Sequence, residues 1–105
     1  MKVFEVLLFI IAIFPPLVFG GEIYGRIRSE KEDIDPGVKI EVEQSGNVYS
    51  TVTRQYGAYR IYIPTTGKAT FKLYVEKNPF RTTIYSFDKP TRYDFTLEKN
   101  ILKMK

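Results

Sequence analysis

The chain has no cysteine, no histidine and no tryptophan. Without cysteine it cannot form the disulfides that brace many small exported domains. It also has no thiolate nucleophile. Without histidine it loses the commonest general base and the commonest metal ligand. Ser29, Ser45, Ser50 and Ser86 therefore have only lysine left as an activating base. These gaps predict a non-catalytic chain with no cofactor and no metal. No basic cluster stands out either. The net charge is +4, with Lys and Arg interleaved among Glu and Asp. Such a surface supports at most weak attraction to anions, and no nucleic-acid partner is expected. After residue 20 there is no long apolar run, no internal repeat and no stretch with helical period.

The first twenty residues differ from the rest. Lys2 gives a positive start, although Glu5 weakens it. Val6 to Phe14 is an unbroken apolar run, Pro15-Pro16 breaks it, and Val18-Phe19-Gly20 follows. This is the pattern of a secretory signal peptide over residues 1–20, with the cut after Gly20. The alternative is an uncleaved anchor. A span needs about 20 apolar residues, and the double proline shortens this run, so no stable span is expected after cleavage. No cysteine follows the cut, which excludes a lipid anchor on that residue. The expected location is secreted, periplasmic or elsewhere in the cell envelope. Removing 20 of the 105 residues leaves 85, enough for one modest core.

Beyond Gly20 the period is two. Ile23, Gly25 and Ile27 alternate with Tyr24, Arg26 and Arg28, and Val38, Ile40 and Val42 alternate with Lys39, Glu41 and Glu43. Half-buried antiparallel strands need this alternation. Ser45-Gly46-Asn47 predicts a hairpin turn before a strand over residues 48–53. Gln55-Tyr56-Gly57 turns the chain into residues 58–63, with Tyr59, Ile61 and Ile63 inward, and Pro64 ends that strand. Ala69, Phe71, Leu73 and Val75 mark the inward side of the next strand. Residues 81–86 and 92–97 complete the set. Seven short strands at this spacing predict an all-β, antiparallel Greek-key sandwich. The domain is expected over residues 21–99, with a fraying basic tail over residues 100–105. Ser29 to Pro36 reads as a polar acidic loop. Its carboxylates lack the order of a calcium loop, and Lys31 sits among them.

Several segments together resemble the carboxypeptidase regulatory-like domain. They are Ile23-Tyr24-Gly25-Arg26-Ile27, Asp35-Pro36-Gly37-Val38, Thr51-Val52-Thr53, Tyr56-Gly57-Ala58-Tyr59-Arg60-Ile61 and Pro64-Thr65-Thr66-Gly67. The resemblance covers roughly residues 22–97. It implies the transthyretin-like (prealbumin-like) sandwich, a carbohydrate-binding-like fold. It also implies an accessory module of peptidases, receptors or surface proteins. Transthyretin-like hydrolases of ureide rings depend on histidines, and this chain has none. Arg54 departs from the family pattern, which often has Asp at that place. Immunoglobulin-like sandwiches of surface adhesins are the nearest alternative.

The candidate binding residues are Tyr24, Tyr62 and Tyr74, with Arg26, Arg60 and Lys72 beside them on the same strands. Outward tyrosines can stack on sugars or anchor a protein, or they can simply brace the sheet as cross-strand pairs. The functional expectation is one outward tyrosine/basic face that meets an envelope protein or glycan. The runner-up is a structural or adhesive component that works by self-assembly or strand-edge pairing.

Overall fold

The computed structural model describes residues 21–105; the expected leader, residues 1–20, lies outside them. The chain forms two sheets. The first holds β1 (Gly21–Ser29), β2 (Glu32–Asp33), β5 (Ala58–Ile63), β8 (Thr91–Arg92), β9 (Phe95–Glu98) and β10 (Ile101–Met104). The second holds β3 (Lys39–Gln44), β4 (Asn47–Val52), β6 (Gly67–Tyr74) and β7 (Phe80–Ser86), in the order β4-β3-β6-β7. The architecture is an all-β sandwich. The alternation sorts side chains as it requires. Ile23, Ile27, Ile40, Val42, Tyr59, Ile61, Ile63, Phe71, Leu73 and Phe95 are all buried between the sheets. Val75 does not join them. It lies just past the end of β6 and is exposed.

β1 is the spine of the first sheet. It pairs antiparallel with β5 along Gly21–Arg26. On its other side it pairs with β8 and β9, and these pairs are parallel. The sandwich is therefore not purely antiparallel. The chain returns from β7 in the second sheet by a crossover, and it enters β8 and β9 running the same way as β1.

Gly25 and Gly57 answer to close backbone approach. A Cβ on Gly25 would lie 2.0 Å from the Tyr93 carbonyl oxygen, where β8 leaves β1. A Cβ on Gly57 would lie 2.2 Å from the Ile27 carbonyl, and Gly57 is also left-handed at φ +71°.

Two stretches expected to be irregular are ordered. Within the acidic loop, Glu32–Asp33 pairs with Arg28–Ser29, and Ile34 is buried. At the C-terminus, Ile101–Met104 pairs antiparallel with Phe95–Glu98 and buries Leu102. The expected frayed tail is thus a sheet strand. Its turn escapes sequence reading because Lys99 (φ 49°) and Asn100 (φ 67°) both take the left-handed conformation. Asn tolerates that state, but Lys does not advertise it.

Candidate functional site

The six candidate residues divide between the two sheets. Tyr24 and Arg26 lie on β1, and Arg60 and Tyr62 on β5. All four point away from the core on the outer side of the first sheet. Lys72 and Tyr74 lie on β6, on the outer side of the second sheet. Three tyrosines on one face is therefore corrected to two faces turned away from each other. Alternation predicts outward or inward for each strand, but not which sheet a strand joins.

The second sheet's outer face satisfies its own charges. The Lys72 ammonium is 2.6 Å from Glu43 and largely covered. The Tyr74 hydroxyl donates to Glu41 at 2.9 Å, Lys39 pairs with Glu41 at 3.1 Å, and the Lys39 ammonium sits 5.3 Å from the Tyr74 ring centre. These contacts lower the pKa of both carboxyls. Hydrogen bonds from Lys39 and then Tyr74 act on Glu41, and the Lys72 hydrogen bond acts on Glu43. Lys72 and Tyr74 thus serve the sheet as a cross-strand network.

The first sheet's outer face is different. Sheet register places Arg60, Tyr24 and Arg92 in one row across β5, β1 and β8. Arg26 stands in the next row, opposite Ala58. Arg54 reaches the same place from the turn before β5. Together they line a depression of about 260 Å³, floored by Gly25, Ala58 and Tyr59. A second depression of about 190 Å³ adjoins it, sharing Arg26 and Arg92 and adding Arg28, Asp94, Phe95 and Lys105. Asp94 is the only acidic side chain lining either one.

Three of the arginines are held in place. Arg26 is 2.9 Å from Asp33, and its Nε donates to the Tyr56 carbonyl at 3.1 Å. Arg60 is 3.0 Å from Glu22. The Arg92 Nε donates to both oxygens of Asp94 at 3.0 Å. Arg54 has no ion pair among the described residues. Its turn closes through the backbone instead, by an Arg54 N–H bond to the Ala58 carbonyl at 2.7 Å. No side chain among the described residues caps the turn. An aspartate at this place would spend its carboxylate on the turn. Arginine leaves the turn to the backbone and adds a free guanidinium to the rim.

Beneath the depression, the buried Tyr59 hydroxyl donates to the Tyr93 carbonyl at 2.6 Å. Burial, and then the charge of Asp94, push this phenol far above its ordinary pKa. The Tyr59 ring contacts Phe71 edge-on and lies near Phe95. The floor is therefore closely packed and neutral.

Sequence reasoning misses Arg54 and Arg92 as site residues. Tyr56 is 69% exposed, and only its backbone carbonyl meets the site, through Arg26. The signal for Arg54 lies only in its departure from the pattern that the sequence resemblance implies; Arg92 needs the parallel pairing of β8 with β1. One other spacing escapes the sequence reading. Ser86 stands three residues before Lys89, as in a serine–lysine dyad. Ser86 is 1% exposed, so its hydroxyl does not face a substrate. In the acidic loop, Asp33 is already engaged by Arg26 and lies 3.9 Å from Arg28.

No protein-family model matches the chain, and no curated protein matches it. Among solved structures, the Bacillus anthracis TIE protein is similar over 76% of this chain, with a TM-score of 0.59 and 15% identity. The match spans 16% of that protein's chain. At this identity the likeness speaks for the shared β-sandwich fold alone.

Proposed function

We propose that this chain is an exported, non-catalytic binding module of the cell envelope, built on the transthyretin-like sandwich of carboxypeptidase regulatory-like domains. Its contact face is the outer side of the first sheet, with Tyr24, Arg26 and Arg60 joined by Arg54 and Arg92. The partner is a protein or carbohydrate that presents an acidic group.

One observation carries the reading: a tyrosine flanked in its own row by two arginines, with an unpaired third arginine at the rim. Guanidinium forks bind carboxylate and sulfate in bidentate fashion. A phenol ring beside them can stack on a sugar. The volume of about 260 Å³ falls below the roughly 300–1,000 Å³ of drug-sized pockets. That suits one acidic sugar unit or one carboxylate side chain, not a large cofactor.

The test is titration with a uronic-acid polysaccharide, a poly-glutamate peptide and a neutral glucan of matched length. The acidic polymers should bind, more weakly as salt rises, and Arg54→Ala with Arg92→Ala should abolish that binding. Equal binding of the neutral glucan, or full binding by the double variant, refutes the reading.

A further inference from the structure

Among the described residues the sandwich has four lateral edges, and three carry the usual defences. β5 bears Arg60 and is closed by Pro64, β7 bears Arg81, and β10 bears Lys103. Charged residues and proline are the means by which edges avoid further pairing. The fourth edge, β4, has none of them. Its sequence is Asn47-Val48-Tyr49-Ser50-Thr51-Val52, without charge or proline. It is also free of bulges, since its register against β3 runs unbroken from Asn47 opposite Gln44 to Val52 opposite Lys39.

The open hydrogen-bonding groups of β4 can be assigned. The N–H of Thr53 donates to Val38 and its carbonyl accepts from Gly37, both on the β3 side. Backbone groups alternate sides along a strand. The odd-numbered residues of β4 therefore face β3, and Val48, Ser50 and Val52 face outward. β4 has no pairing partner other than β3 among the described residues. The side chains of Val48 and Val52 are half exposed on the outer face.

The occupant follows from symmetry. A two-fold interface must be complementary to itself. The segment Val48-Tyr49-Ser50-Thr51-Val52 has the same character read from either end about Ser50. We propose that β4 is a self-association edge, through which two copies of this chain pair antiparallel about Ser50. Val48 then lies opposite the partner's Val52, and Ser50 opposite the partner's Ser50. All these pairs are of the hydrogen-bonded kind, each exchanging two backbone bonds. The valines meet on the outer face. Flanking charges fit as well. Lys39 neighbours Val52 and Glu43 neighbours Val48 on β3, so the row beyond the valines runs from Lys39 to the partner's Glu43.

The pairing joins the two four-stranded sheets into one. Its two-fold axis is normal to the sheet, so both copies turn the outer side of their first sheet the same way. Two basic depressions then face one polymer or surface, and linked sites gain avidity without any new contact. The pairing itself does not depend on what those depressions bind.

The absence of cysteine makes the test clean. It uses the full chain dispersed in mild detergent, under oxidising conditions. Hydrogen-bonded antiparallel pairs have Cα atoms about 5.5 Å apart, within disulfide reach. Ser50→Cys should form a covalent dimer much faster than the exposed control Thr66→Cys. Val48→Cys alone should not, because its copies sit about four residues apart along the strand, on the order of 13 Å. Mixed Val48→Cys and Val52→Cys chains should link. By sedimentation, wild type should double in mass as concentration rises, and Ser50→Pro should remain single. Proline there removes an outward amide and spares the β3 ladder. If that variant misfolds, Ser50→Lys serves instead, by setting two like charges at the axis. Linking of Ser50→Cys no faster than the control, linking by Val48→Cys alone, or an unchanged mass distribution in Ser50→Lys overturns the proposal.

Discussion

The Thr53 hydroxyl donates to the Asp35 carbonyl at 2.6 Å and accepts from the Val38 amide at 2.9 Å. Thr53 is buried, and its backbone also bonds Gly37 and Val38. One side chain thus clamps the proline-glycine entry of β3 to the end of β4. Thr53→Val keeps the shape but leaves two part-buried polar groups without this partner. It should cost about 2–3 kcal/mol, while Thr53→Ser should recover most of that. Urea unfolding of the three proteins measures the difference.

Gly57 and Gly46 are both left-handed, at φ +71° and +83°, but only Gly57 faces a neighbour. Gly46→Ala has nothing within 4 Å and should cost about 1 kcal/mol of backbone strain. Gly57→Ala adds the collision with the Ile27 carbonyl and should cost upward of about 3 kcal/mol. Similar melting temperatures for the two variants would contradict the close approach of the turn to β1.

The carboxyls of Glu41 and Glu43 titrate below the ordinary value of 4.5. A depressed native pKa gives stability that is present above the unfolded value. That stability is lost as pH falls through the native value. The domain should weaken as pH drops below about 4.5, and Glu41→Gln with Glu43→Gln should flatten that part of the curve. Thermal melts between pH 7 and pH 3 provide the comparison.

Leu102 is 6% exposed on β10. Leu102→Ala should cost about 2–3 kcal/mol, as for other buried leucines. A truncation before Ile101 should cost at least as much. Denaturant titration that finds no loss in either case would restore the picture of a frayed tail.

Arg54 and Lys72 should give opposite phenotypes. Arg54→Ala removes an unpaired rim cation, so binding of an acidic polymer should fall about tenfold. Its stability should stay within about 0.5 kcal/mol of wild type. Lys72→Ala strips a covered ammonium from Glu43 on the other sheet. It should lower the melting temperature and leave binding unchanged. Calorimetric binding and melting of the same two samples decide the matter.

The fold was legible where one face of a strand is buried. Ile23, Ile40, Ile61, Phe71 and Phe95 follow from alternation alone, because a one-residue slip would put each of them into water. The C-terminal turn was not legible, because its left-handed Lys99 carries no glycine signal. The short pairing of Glu32–Asp33 was not legible either, since a two-residue ladder has no periodicity to read. Of the candidate site, Tyr24, Arg26 and Arg60 were legible as outward residues.

The sequence by itself determined the class of fold, the inward set of side chains apart from Val75, and the scarcity of catalytic groups. Each of these depends on residue type and a period of two. Only the tertiary structure decided that Tyr74 and Lys72 stand apart from Tyr24 and Arg60. It alone brought Arg92 beside Tyr24, 68 positions away in sequence. Such neighbours depend on which sheet a strand joins and in which direction, and local alternation carries no information about either.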